Sequence, residues 1–439
     1  MKPLLDYSHI HGFNYTASYA KSDRHFWEDY RHDVVDTELT YAEKLGLNSA
    51  RIFLPHICYV SSPESFLDSV KDFVRTADSH GITTMPIVFF GREFYPDFES
   101  AEQNNGDPPL KYMLDPKNYY LSEVYFDALF KAIGTEPGLL MWDISNELGY
   151  HTEKGMVSFH PNEPSYRIAR ARGYVPDDMV AFREKQETVW SFMRHVIGYI
   201  RKTDSVNAIG IGNTFAYEIE PSKTGALVDV LIFHDYSETR KRARESHDLM
   251  KQLSEKYGKP VINNETGCLC RANPYDMALE MAGEYKFGYY LFELMIGRDS
   301  WNRVHGIFYP DGSIRDPSAV AAVLGLFRNR TANAIPTDIN QEKRAYLAIE
   351  FAMQTIDNTK QGYLPDDSKV YAEELLEAAE YVANLLEAGE HVPMHYPPTA
   401  RIAEYRKQEQ PNTEEIKDWM LELVELLKKA CHILVWPAL

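Results

Sequence analysis

Over residues 9–328 the hydrophobic pattern switches repeatedly between two periods. Near-continuous apolar runs occur at 9–15 (HIHGFNY), 50–55 (ARIFLP), 83–90 (TTMPIVFF), 139–146 (LLMWDISN), 208–213 (AIGIGN), 229–236 (DVLIFHDY), 260–264 (PVINN) and 288–295 (GYYLFELM). Short runs of this kind read as strands buried on both faces, the habit of a parallel sheet covered by helices. Between them, apolar residues recur at helical spacing over 33–45, 65–80, 121–133, 178–203, 238–257, 274–285 and 317–327. In 33–45 the stripe is Val34, Leu39, Ala42 and Leu45, and Gly46 closes it. In 65–80 it is Phe66, Val70, Phe73, Val74 and Ala77, followed by Gly81.

Eight strands alternating with helices predict an α/β fold, a (β/α)8 TIM barrel, over residues 1–330. A doubly wound open sheet gives similar alternation, but no GxGxxG or Walker segment accompanies this one. From 331 to 439 the pattern changes to three helical stripes, within 346–356, 375–386 and 416–427, which predict a C-terminal helical extension. Two connections are long and polar: 91–120 after the third strand and 149–178 after the fourth. Ordinary βα loops run to about 2–6 residues. These two are expected to wall one side of a cleft and narrow it toward a pocket.

The net charge of −19 argues against nucleic acid or an anionic membrane as partner. No run is long enough to span a bilayer. The opening Met1-Lys2-Pro3-Leu4-Leu5-Asp6 lacks an apolar signal core, so a cytoplasmic location is expected. Cys58, Cys268, Cys270 and Cys431 fit neither a disulfide framework nor a zinc pattern, so neither a metal nor a cofactor is expected. The aromatic share of 13%, with 29 Tyr, suits stacking on sugar rings as well as core packing.

Candidate chemistry sits where apolar runs open onto polar residues. Leu139 to Ile144 leads into Ser145-Asn146-Glu147, and Pro260-Val261-Ile262 leads into Asn263-Asn264-Glu265-Thr266-Gly267. In a barrel these are C-terminal strand ends, where active sites are built. Glu147 and Glu265 facing each other there suggest glycoside hydrolysis, which needs one protonated and one ionised carboxyl. Arg51, a charge on a buried strand, can hold the ionised one.

Five motifs lie in register with this reading: GFNY at 12–15, GLNSARIF at 46–53, WDISNE at 142–147, FHDY at 233–236 and INNETG at 262–267. With them the chain resembles the retaining glycoside hydrolases of clan A, close to the cellulase-like family 5 and family 2 barrels. The resemblance implies Glu147 as acid/base, Glu265 as nucleophile and Asn146 on the substrate 2-hydroxyl. It further implies that Tyr236 hydrogen-bonds the nucleophile, His234 lines the pocket and Arg51 pairs with Glu265. The expected partner is a carbohydrate substrate carrying a β-linkage.

The clan's usual tryptophan at the end of strand eight is replaced here by Phe292, with Trp301 just beyond. Asn14, His56 and Asn213 lie near strand ends and are further candidates to face the pocket. Two other readings remain open at this level. His9 and His11, with His234, suggest a metal-dependent amidohydrolase-type barrel. A non-catalytic carbohydrate-binding barrel is the other, although it would not be expected to keep both glutamates.

Overall fold

The structure, a computed structural model, describes residues 6–90, 111–147, 150–152, 155–157, 179–237, 240–268, 273–299, 302 and 305–325. The helices expected beyond 331 lie outside these residues, as do Trp301 and most of both long connections. Eight parallel strands close into a barrel in sequence order. They are β1 (His11–Tyr15), β2 (Ser49–Phe53), β3 (Thr83–Phe90), β4 (Met141–Asn146), β5 (Ala208–Asn213), β6 (Leu231–His234), β7 (Val261–Thr266) and β8 (Gly288–Leu291). β8 pairs with β1, which closes the ring. This is the predicted (β/α)8 architecture.

The main helices cover the outside. His32–Leu45, Pro63–Ser79, Tyr120–Ile133, Met179–Thr203, Arg240–Tyr257 and Tyr275–Tyr285 each follow a strand and turn an apolar stripe inward. Trp142 shows how such a wall is tied. Its ring meets Phe126 edge-on, and its Nε1 donates to Asp204 at 2.7 Å.

The barrel interior is layered. At the N-terminal end, Tyr7, Ile10, Met85, Met141, Ala208, Ile232, Ile262 and Tyr290 form an apolar plug. Gly12 is required there, because a Cβ would stand 2.3 Å from the Tyr290 ring. Above the plug the filling becomes polar. Asn14, Arg51, Asp143 and Asn264 are fully buried, and Gly212 leaves room for them. No described helix is long and apolar enough to cross a membrane.

Candidate active site

The polar layer is organised by Arg51, which β2 holds in the barrel centre with no exposed surface. Its Nε donates to Asp143 Oδ2 at 2.9 Å. Its Nη1 donates to Asn14 Oδ1 at 2.9 Å and to Glu265 Oε1 at 2.6 Å, and its Nη2 donates to Asn146 Oδ1 at 2.6 Å. Burial works against the guanidinium charge, but Asp143 and Glu265 outweigh it and hold Arg51 protonated. One cation therefore orients side chains from β1, β4 and β7 at once. Asn264 completes the layer by donating to Asp143 Oδ2 at 2.9 Å.

The two glutamates stand above this layer. The Glu265 carboxylate accepts from Arg51 on one oxygen and from Tyr236 Oη, at 2.9 Å, on the other. Glu147 follows the last residue of β4 and is bound through its N–H to the Gly212 carbonyl at 2.6 Å. Its φ of 52° is left-handed. Lys223 and Lys286, the other non-glycine residues with positive φ among the described ones, are helix C-caps. Glu147 alone adopts this conformation at a strand end, where backbone strain tends to mark a working residue.

His234 Nδ1 lies 3.3 Å from Glu147 Oε1 and 3.3 Å from Glu265 Oε2. It thus sits between the two acids. One atom from each of Glu147, His234 and Glu265 falls within 4.8 Å of the other two. The carboxyl groups therefore converge across a narrow gap. This trio is also the one described cluster whose atoms could ligate a metal ion. Arg51 already puts a fixed positive charge 2.6 Å from Glu265, which opposes a second cation there. The donor set fits a pair of acids better than a resident metal.

The remaining candidates separate. Asn146 reaches the cluster through Arg51. Phe292 stands edge-on to Tyr236, with ring centroids 6.3 Å apart, and packs on Phe53 and Ile87. Asn14, expected to face a sugar, has no exposed surface. Its amide donates to the carbonyls of Asn264 and Leu291, and its oxygen accepts from Arg51. It is a support beneath the site, as is Arg51 itself. His56 does not join the cluster. It opens the helix His56–Ser61 with its ring edge-on to Tyr125, and burial lowers its pKa to about 4. Asn213 donates to the carbonyls of Ile211 and Ile232.

The amidohydrolase reading fails on position. His11 opens β1 and stacks on Tyr289, whereas His234 closes β6. In a parallel barrel these are opposite ends, so the two imidazoles share no metal.

Three residues of the site carried no assigned role in the sequence: Asp143, Asn264 and Glu293. Asp143 was signalled by a charge inside an apolar run, as Arg51 was. Glu293 is buried with Oε1 unpartnered. Burial first, then the charges of Asp23, Asp299 and Glu265, push its carboxyl well above the usual range and favour its neutral form.

No protein-family profile and no curated protein matches this chain in sequence. Solved structures match it in fold. An exo-β-1,4-mannosidase from Opitutaceae bacterium strain TAV5 aligns with a TM-score of 0.50 at 17% identity, over 74% of this chain and 60% of that one. A family 5 subfamily 18 glycoside hydrolase variant from Streptomyces cattleya, in complex with Manβ1-4GlcNAc, gives 0.50 at 14% identity, over 74% and 82%. In fold the chain is a (β/α)8 barrel like those two structures. At such identities the likeness speaks for this barrel and leaves the chemistry to the side chains.

Proposed function

We propose that the protein is a retaining glycoside hydrolase acting on β-linked glycosides or oligosaccharides through two glutamates. The observation that carries this is the convergence of Glu147 and Glu265, with carboxylate oxygens within 4.8 Å of each other. Retaining enzymes hold their acids about 5–5.5 Å apart, and inverting enzymes about 6.5–9.5 Å, to admit a water.

The environments of the two acids support these roles. Glu265 is oriented by Arg51 and Tyr236, one on each oxygen, as a nucleophile must be. Its carboxylate attacks the anomeric carbon while Glu147 protonates the departing glycosidic oxygen. A glycosyl ester on Glu265 and a free alcohol result. Glu147, now ionised, takes a proton from water, and the water oxygen displaces Glu265 from the same face that the leaving group occupied. Glu147 is the more exposed of the pair, with 14% of its side chain accessible against 6% for Glu265, which suits the group that exchanges protons with water. Asn146, fixed by Arg51, would hold the 2-hydroxyl, a contact that strengthens as charge develops on the ring.

A screen of aryl β-glycosides tests this reading. β-Mannosides belong in it, because the two structural neighbours are described with β-mannosidic linkages. On a turned-over substrate, Glu265→Ala is expected to lower kcat by about four orders of magnitude or more. Glu147→Ala should cost about 10²–10⁴ on sugar leaving groups, which need a proton, and far less on dinitrophenyl glycosides. Azide should then rescue Glu147→Ala and give a glycosyl azide of retained configuration. Equal loss in both variants, with no rescue, rejects the assignment.

A further inference from the structure

Tyr236 reaches Glu265 from a loop rather than from a strand, since β6 ends at His234. A phenol at the tip of a loop is a poor fixture unless its neighbours are held. Both are held, by the end of β7 and by Asn273 beyond it. Asp235 on one side of Tyr236 donates its N–H to the Glu265 carbonyl at 3.1 Å, and its own carbonyl accepts from Thr266 Oγ1 at 2.8 Å. Ser237 on the other side accepts on its carbonyl from Asn273 Nδ2 at 2.7 Å. Asn273 Oδ1 in turn accepts from the Gly267 N–H at 2.7 Å. Thr266 and Asn273 are both fully buried.

The topology gives this web its meaning. Thr266 directly follows Glu265 on β7, and Gly267 follows Thr266. The strand end that carries the acid is thereby bound to both residues flanking the phenol. Side chains of successive strand residues point to opposite faces. Glu265 faces the site, and Thr266 faces away from it to grip the loop.

We propose that Thr266 and Asn273 are positioning residues that lock the 235–237 loop to the end of β7 and so fix Tyr236 Oη on the Glu265 carboxylate. This rests on the glycosidase reading for its consequence but not for its geometry. Every link in the web runs through a backbone group or the neutral side chains of Thr266 and Asn273, and the carboxyl groups of Asp235 and Glu265 make none of them. The lock is therefore set by shape and hydrogen bonding.

The test compares Thr266→Val, which keeps the shape and removes the hydroxyl, with Thr266→Ser, which keeps the hydroxyl. Thr266→Val should lower kcat about 10- to 100-fold with KM within about threefold, since misplacing a group by about 1 Å costs about that much. Thr266→Ser should restore kcat to within about threefold of the parent. In a Tyr236→Phe background, Thr266→Val should add less than about threefold, because both changes act through one contact. A fluorotyrosine placed at position 236 gives a readout that needs no turnover. Its fluorine NMR signal should be single and sharp in the parent and Thr266→Ser, and broadened or shifted in Thr266→Val. Asn273→Ala should reproduce that change if it folds; the threonine pair decides the matter if it does not. An unchanged signal with unchanged kcat in Thr266→Val overturns the proposal, as does equal loss in the valine and serine variants. A parent inactive on every glycoside rejects the glycosidase reading, and the fluorine signal alone then decides the lock.

Discussion

At the scale of single residues, the site depends on a place where no side chain stands. A Cβ on Gly212 would lie 2.9 Å from Arg51 Nη2 and 3.2 Å from both Asn264 Nδ2 and Asp143 Oδ2. Each of those is backed by other bonds, so the layer has no cheap way to yield. Gly212→Ala is expected to cost about 1–3 kcal/mol, the usual penalty of overfilling a packed interior. It should also lower kcat, because Arg51 is displaced from Glu265. Urea unfolding and steady-state kinetics on the same variant check both halves, and an alanine variant of parental stability contradicts the argument. The sequence made the acids, Asn146, His234 and Tyr236 legible because each sits where an apolar run turns polar. It did not separate lining from support. Asn14 lies near a strand end like the others and Arg51 is a charge inside a strand, and only the direction of their side chains shows that they hold the site from beneath. Asp143 was visible as a charge in an apolar strand, but its partners lie on β2, β5 and β7, which no local pattern reports.

At the scale of elements, strand and helix identities follow the two periods of the chain closely, and the discrepancies have physical causes. The run 229–236 shortens to Leu231–His234 because Asp229 turns its carboxylate back to accept from the Ile209 N–H at 2.9 Å. Strict alternation would send Asn264 and Glu265 to opposite faces, yet both meet the Arg51–Asp143 layer. The ladder explains it. Phe233 pairs with Asn263 and His234 with Glu265, so one residue of β7 is left over. A bulge of this kind re-aims side chains beside an active site. β4 has another irregularity, between Asp143 and Asn146. Short helices such as Asp23–Glu28 were missed because six residues hold too few turns to show a period. That helix matters nonetheless. Its Trp27 Nε1 donates to the Phe53 carbonyl at 2.6 Å, pinning the end of β2 above Arg51. Trp27→Phe should cost about 1–3 kcal/mol by removing that buried hydrogen bond. A denaturation midpoint equal to the parent's would show that the carbonyl finds another donor.

At the scale of the whole molecule, two buried groups give stability opposite dependences on pH. His56 has its pKa lowered from 6.5 to about 4 by burial. Between those values the unfolded chain binds a proton that the folded one does not, so stability rises with pH through this window. Lowering pH from 6.5 toward 4 removes up to about 3 kcal/mol at about 1.4 kcal/mol per unit. Glu293 acts in reverse. Its carboxyl is pushed well above 4.5, chiefly by burial, so the folded chain keeps a proton that the unfolded one releases. Its effect on stability is fully present below 4.5 and falls as pH rises, again at up to about 1.4 kcal/mol per unit. The two slopes oppose each other as pH rises above 4.5. Single variants separate them. Glu293→Gln keeps a neutral side chain of the same shape, so its stability advantage over the parent should grow as pH rises above 4.5. His56→Gln should instead gain stability relative to the parent as pH falls from 6.5 toward 4. Urea unfolding of parent and variants across pH 4–8 reads both differences. A Glu293→Gln advantage that does not change with pH would show that this carboxyl ionises in the folded barrel, and that burial beside Glu265 does not keep it neutral.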